Sequence, residues 1–122
     1  MTLSAVDAFS VLPDRLRTAL VAAFNEIVNN YEQRRWEPAE LNGGKLCEAA
    51  YTIVRGLADG THSIGSVKPK NMVDACKAME SATDQPRSVR IQIPRMIVAL
   101  YEIRNNRGVG HTGGDVDPNE MD

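Results

Sequence analysis

Leu16, Leu20, Phe24, Ile27 and Tyr31 recur at steps of four, four, three and four. An α-helix places such positions on one face, so this stretch is an amphipathic helix whose apolar line needs a cover. Pro13 and Asp14 suit its first turn, where a missing N–H is harmless and an acid meets the positive end of the helix dipole. Its end is expected near Arg34. The same period returns three more times. Leu46, Ala50, Ile53 and Leu57 mark a helix from near Pro38 to Leu57, and Met72, Cys76 and Met79 mark one from Pro69 to about Ser81. Val89, Ile93, Ile97 and Leu100 mark one from about Ser88 to Arg107, either kinked at Pro94 or starting there. A short leading helix over residues 4–11, with Ser4 as N-cap, is also expected. Residues 59–68 and 82–87 read as loops. The fold class that follows is all-α, a small up-and-down bundle of four to five helices.

A second row on the Pro38–Leu57 helix, Ala39, Gly43, Cys47, Ala50 and Val54, is mostly small. Small side chains let a neighbouring helix approach closely. Gly43 and Gly44 each cost a helix interior about 1 kcal/mol relative to alanine. A continuous helix, with close packing offsetting that cost, is the preferred reading over a helix that begins after them.

The chain has 122 residues, enough for one modest core, so residues 1–122 are read as a single domain. No apolar run approaches the roughly 18 residues of a membrane span. Met1-Thr2-Leu3-Ser4-Ala5 lacks the basic and apolar regions of a signal peptide, so cytoplasmic residence and no membrane partner are expected. Cys47 and Cys76 sit among helix formers and read as reduced, buried hydrophobes. His62 and His111 do not complete a zinc pattern with them, so neither metal nor cofactor is expected.

Several familiar chemistries are poorly supported. Asn42-Gly43-Gly44-Lys45 is not a phosphate-binding P-loop, because Ala39 and Leu46 stand where that motif needs glycine and a hydroxyl residue. No serine lies in a Gly-x-Ser-x-Gly elbow. Glu37, Glu40 and Glu48 could share a helix region, but a carboxylate pair needs a cleft that a chain this small does not promise.

Charge is more informative. From Gln85 to His111 there are five arginines and one acid, whereas Thr112 to Asp122 hold four acids and no base. A basic stretch of this kind suits a phosphate-bearing partner, although an ordinary solvated helix face gives the same pattern. Within it, Arg104 lies four residues after Leu100 and seven after Ile97. It continues the core-facing line, where an unpartnered charge is costly. His111 follows a glycine-rich turn able to fold it back beside the helix end. Histidine titrates near neutrality, and arginine offers phosphate oxygens a planar fork of donors. The plainer alternative is that the arginines bind the last carbonyls of their own helix and His111 is a loop histidine.

Arg104-Asn105 followed by His111 after a short glycine-rich spacer resembles the signature of the HEPN superfamily. The string Ile93-Pro94-Arg95-Met96 through His111, and Glu40-Leu41-Asn42-Gly43-Gly44-Lys45-Leu46-Cys47-Glu48-Ala49, are similar to abortive-infection and defence-associated HEPN-like proteins. The resemblance spans about residues 13–122. It implies a HEPN-like bundle that forms homodimers and acts as a metal-independent endoribonuclease. Arg104, Asn105 and His111 would then be catalytic, with Arg107, Arg95 and Lys45 as substrate-binding cations. An antitoxin or further domains of a larger defence protein are implied partners. Some HEPN members serve instead as non-catalytic binding modules. Asp117-Pro118-Asn119-Glu120 carries the start signal of one more helix, so the sequence is expected to be cut before its last helix.

Overall fold

The computed structural model describes residues 12–60, 63 and 65–106, except for the side chains of 37–40 and 103–106. Within them are four α-helices: α1 Asp14–Glu32, α2 Trp36–Asp59, α3 Met72–Ala78 and α4 Ile93–Asn106. A 3-10 turn, Met79–Ser81, extends α3, and a π-helical turn, Ser88–Gln92, leads into α4. No strand occurs among the described residues. The all-α bundle expected from the periodicity is the fold observed. The leading helix expected over 4–11 and the helix start at Asp117 lie outside the described residues.

Each helix end has a local cause. At the start of α1, Asp14 pairs with Arg17 at 2.8 Å, three residues along the same face. Its C-terminus closes in a Schellman arrangement. The Arg35 N–H donates to the Asn30 carbonyl at 2.8 Å and the Arg34 N–H to that of Tyr31 at 3.0 Å. The left-handed position of that motif, normally glycine, is Arg34, at φ 59°. Tyr31 and Trp36 meet edge-to-face across the turn, with centroids 5.4 Å apart. The second helix runs unbroken through Gly43 and Gly44 and ends at Gly60, whose φ of 76° caps it. The third begins at Met72, later than Pro69, because the Asn71 side chain accepts the Asp74 N–H at 3.0 Å and so fixes the N-cap.

The core is Cys47, Tyr51 and Val54 from α2, Met72, Cys76 and Met79 from α3 and its extension, and Ile97 and Tyr101 from α4. Burying one large apolar side chain contributes about 1.5–3 kcal/mol. Met72, Cys76 and Met79 are buried as their spacing implies. On α2, the row of small residues proves the deeper one, while Leu57 is 51% exposed. On α1, Leu16, Ala23 and Asn30 are buried, whereas Phe24 and Tyr31 are about half exposed. The reason is shared. α2 packs against both α1 and α4, and helices that approach closely put small side chains at the contact line and push large ones to its flanks.

Pro94 explains the entry to α4. Proline has no N–H and its ring collides with the carbonyl four residues earlier. The preceding π turn widens the backbone there, and Pro94 itself is buried. Helical backbone runs from Ser88 across the proline, as the longer of the two readings has it, and the α-helix proper begins at Ile93, one residue before Pro94. The inward face differs from the one the spacing suggests. Ile91, Pro94, Ile97 and Tyr101 are buried, while Ile93 and Leu100 are exposed.

Candidate functional site

Pro94, Ile97 and Tyr101 step by three and four, and Arg104 follows at three. Arg104 therefore lies in helical register with the buried line of α4, as the sequence suggests, although the line runs through Tyr101 rather than Leu100. Asn105 is four residues beyond Tyr101, on the same side. Both belong to the last turn of α4, which ends at Asn106. Their side chains, and the whole of Arg107 and His111, lie outside the described residues. Carbonyls at a helix C-terminus lack intrahelical donors and carry partial negative charge. A cation is favoured at such an end.

The other two cations expected at the substrate occupy separate grooves. Arg95 is exposed and pairs with Glu80, its Nε and Nη2 each 3.1 Å from one carboxylate oxygen. It lines a shallow groove with Cys76, Pro94 and Val98. Lys45 lines a groove between α1 and α2 in which Glu26 and Glu48 also stand. These acids offset its charge. The structure thus places Arg104 and Asn105 on one helix turn and sets Arg95 and Lys45 in different grooves.

Neither cysteine forms a disulfide, and both are buried. The Cys47 thiol donates weakly to the Ile97 carbonyl at 3.8 Å, which fixes α4 against α2. Burial pushes the Cys76 thiol up to about 11 from an ordinary 9.0, so it is protonated at neutral pH and a poor nucleophile. Among the described residues no group of three or more His, Cys, Asp or Glu could hold a metal ion. No helix among them is long and apolar enough to cross a membrane.

Arg55 carries chemistry that the periodicity did not flag. It lies four residues before Asp59, within the last turns of α2. In the structure it is partly buried, stacked near Tyr51 and bonded to Ser63. Its place one turn after an inward-facing tyrosine was the available signal.

Comparison with known proteins finds no matching family model, no matching curated protein and no matching solved structure.

Proposed function

We propose that this chain is a metal-independent endoribonuclease domain of the HEPN type, a cytoplasmic toxin or defence effector acting on RNA as a homodimer. The observation that carries the reading is the position of Arg104 and Asn105. Both occupy the terminal turn of α4, in register with its buried line, immediately before the glycine-rich run to His111. In the proposed reaction His111 takes the proton of a ribose 2′-OH, whose oxygen attacks the adjacent phosphorus. The P–O5′ bond breaks, and the leaving oxygen takes a proton from the histidinium, or from the second copy's histidine. Products are a 2′,3′-cyclic phosphate and a 5′-OH. Arg104 holds the charge that develops on the phosphorane, and Asn105 orients the phosphate or the base. A positioned acid–base group contributes about 10²–10⁴-fold in rate, and the guanidinium adds electrostatic stabilisation. Arg107 is the nearest additional phosphate contact in sequence.

The test is RNA cleavage by the purified protein in EDTA, with end-group mapping. Cyclic-phosphate ends are expected, and Arg104→Ala and His111→Ala should each abolish them. If both variants cut as well as the parent, the mechanism is wrong. A second reading is a non-catalytic dimerisation or binding module of a larger defence protein. The apolar line Ile93, Met96 and Leu100, exposed along α4, favours it. Absence of cleavage together with a dimer in sedimentation would select that reading.

A further inference from the structure

The third helix sits on one side of α2 and α4. It borders α2 at Arg55 and Asp59, and α4 at Arg95 and Val98. Ser66, on the segment that leads into α3, shares a groove with Ala22 and Glu26 of α1 and Glu48 of α2. Glu48 and Arg55 are seven residues apart, on one face of α2, so this groove is on the α3 side too. Among the described residues, every exposed large apolar side chain except Val73, which is on α3 itself, lies on the opposite side. On α2, Leu57 is two residues from Arg55, about 200° round a helix at about 100° per residue. On α1, Phe24 is two residues from both Ala22 and Glu26, and Val28 and Tyr31 continue its line at steps of four and three. On α4, Ile93 is two residues from Arg95, and Met96 and Leu100 follow at three and four. Ile53 and Ala50, four and seven residues before Leu57, are only partly buried. The expected core stripe of α2 therefore faces an open apolar groove beside α1, and a contiguous apolar face of this kind marks a docking surface.

We propose that residues 3–12 of this same chain form the helix that covers the groove between α1 and α2, running back along α1 from Leu12 toward Phe24. Residues 1–12 hold one charged side chain, Asp7, beside Leu3, Val6, Phe9, Val11 and Leu12. On a helix, Ala5, Phe9 and Leu12 share a side with Val6, and Ser4 and Asp7 fall opposite. Such a segment needs apolar cover as much as the groove does. Pro13, non-helical at φ −53° and ψ 138°, breaks the segment from α1 and lets the chain reverse there. The short turn at residues 33–35 makes α1 and α2 antiparallel, so the start of α1 stands beside Leu57 at the end of α2. Ten helical residues span about 15 Å, which is also the rise from Asp14 to Phe24. A tethered segment is present at an effective concentration of about millimolar or more, so it outcompetes a second copy for this groove. One helix, about 10 Å wide, fills one groove and leaves the line on α4 open. This packing is independent of the ribonuclease reading.

The experiment is thiol accessibility in the full chain under native conditions, with Phe9→Cys, Ser4→Cys and Asp7→Cys made one at a time. Cys47 and Cys76 are buried and give a slow background. The thiol at position 9 should react about tenfold more slowly or less than those at 4 and 7, and denaturant should equalise the three. Equal native rates at all three positions overturn the proposal. Urea unfolding then locates the contact. Val6→Asp with Phe9→Asp, and Phe24→Ala with Leu57→Ala, should each lower the midpoint. Combined, they should fall short of the sum, with a coupling of about threefold or more in the unfolding constant. Val73→Ala, on α3, should couple to neither. Additive effects of the two pairs would overturn the proposal. So would a coupling that grows over about a hundredfold range of protein concentration, which assigns the groove to a second copy.

Discussion

The Thr52 hydroxyl accepts the Val67 N–H at 2.8 Å, fastening the segment after α2 back onto that helix. Thr52 is almost fully buried, and its own proton goes to the Glu48 carbonyl at 2.8 Å. One side chain thus satisfies a donor fifteen residues away and closes the approach to α3. Thr52→Val keeps the shape and removes the acceptor. It should cost about 1 kcal/mol, the low end of the penalty for stranding an N–H, because this one is only partly buried, read as a lower urea midpoint. Thr52→Ser should lose less. A Thr52→Val midpoint equal to the parent's would show that water replaces the hydroxyl.

Arg34 closes α1 in a conformation that L-residues resist. Arg34→Gly removes the Cβ clash but makes the unfolded chain more flexible. The net gain expected is about 0.5–1 kcal/mol. Equilibrium unfolding measures it, and a loss of stability would mean that the arginine side chain itself holds the turn.

Cys76 should resist alkylation at neutral pH, because burial keeps its thiol protonated to about 11. The stability consequence has a definite sign. The folded value lies above the unfolded 9.0, so the unfolded chain gives up its proton first as pH rises. Stability is full below 9 and falls between 9 and about 11. Cys76→Ala should flatten that alkaline decline in a pH series of unfolding curves. An unchanged slope would assign it to other groups.

Ile97 and Met96 are neighbours in sequence with opposite fates. Ile97 is 3% exposed and Met96 is 63% exposed. Ile97→Ala should cost about 2–5 kcal/mol through lost burial and a cavity. Met96→Ala should stay within about 0.5 kcal/mol in the monomer. A large effect of Met96→Ala that depends on protein concentration would place that face in an interface.

The periodic spacing alone determined the class of fold, the number of described helices and the inward face of Met72, Cys76 and Met79. Helical period is a local property, and hydrophobic spacing records it directly. Helix α1 shows where that stops. Its apolar line was visible, but Phe24 and Tyr31 proved half exposed while Ala23 and Asn30 went inside. Which side of an apolar stripe meets a neighbour depends on how closely two helices approach, and no single helix encodes that distance. Pro94 gives the same lesson. A break in the helix ladder there was foreseeable from the missing N–H, but that Tyr101 rather than Leu100 carries the buried line toward Arg104 was decided by packing. The candidate site was legible as residue types in order, because a guanidinium, an amide and an imidazole name a chemistry wherever they cluster. That Lys45 and Arg95 fall in separate grooves came only from packing, since the residues that line those grooves are distant in the chain and meet through the bundle.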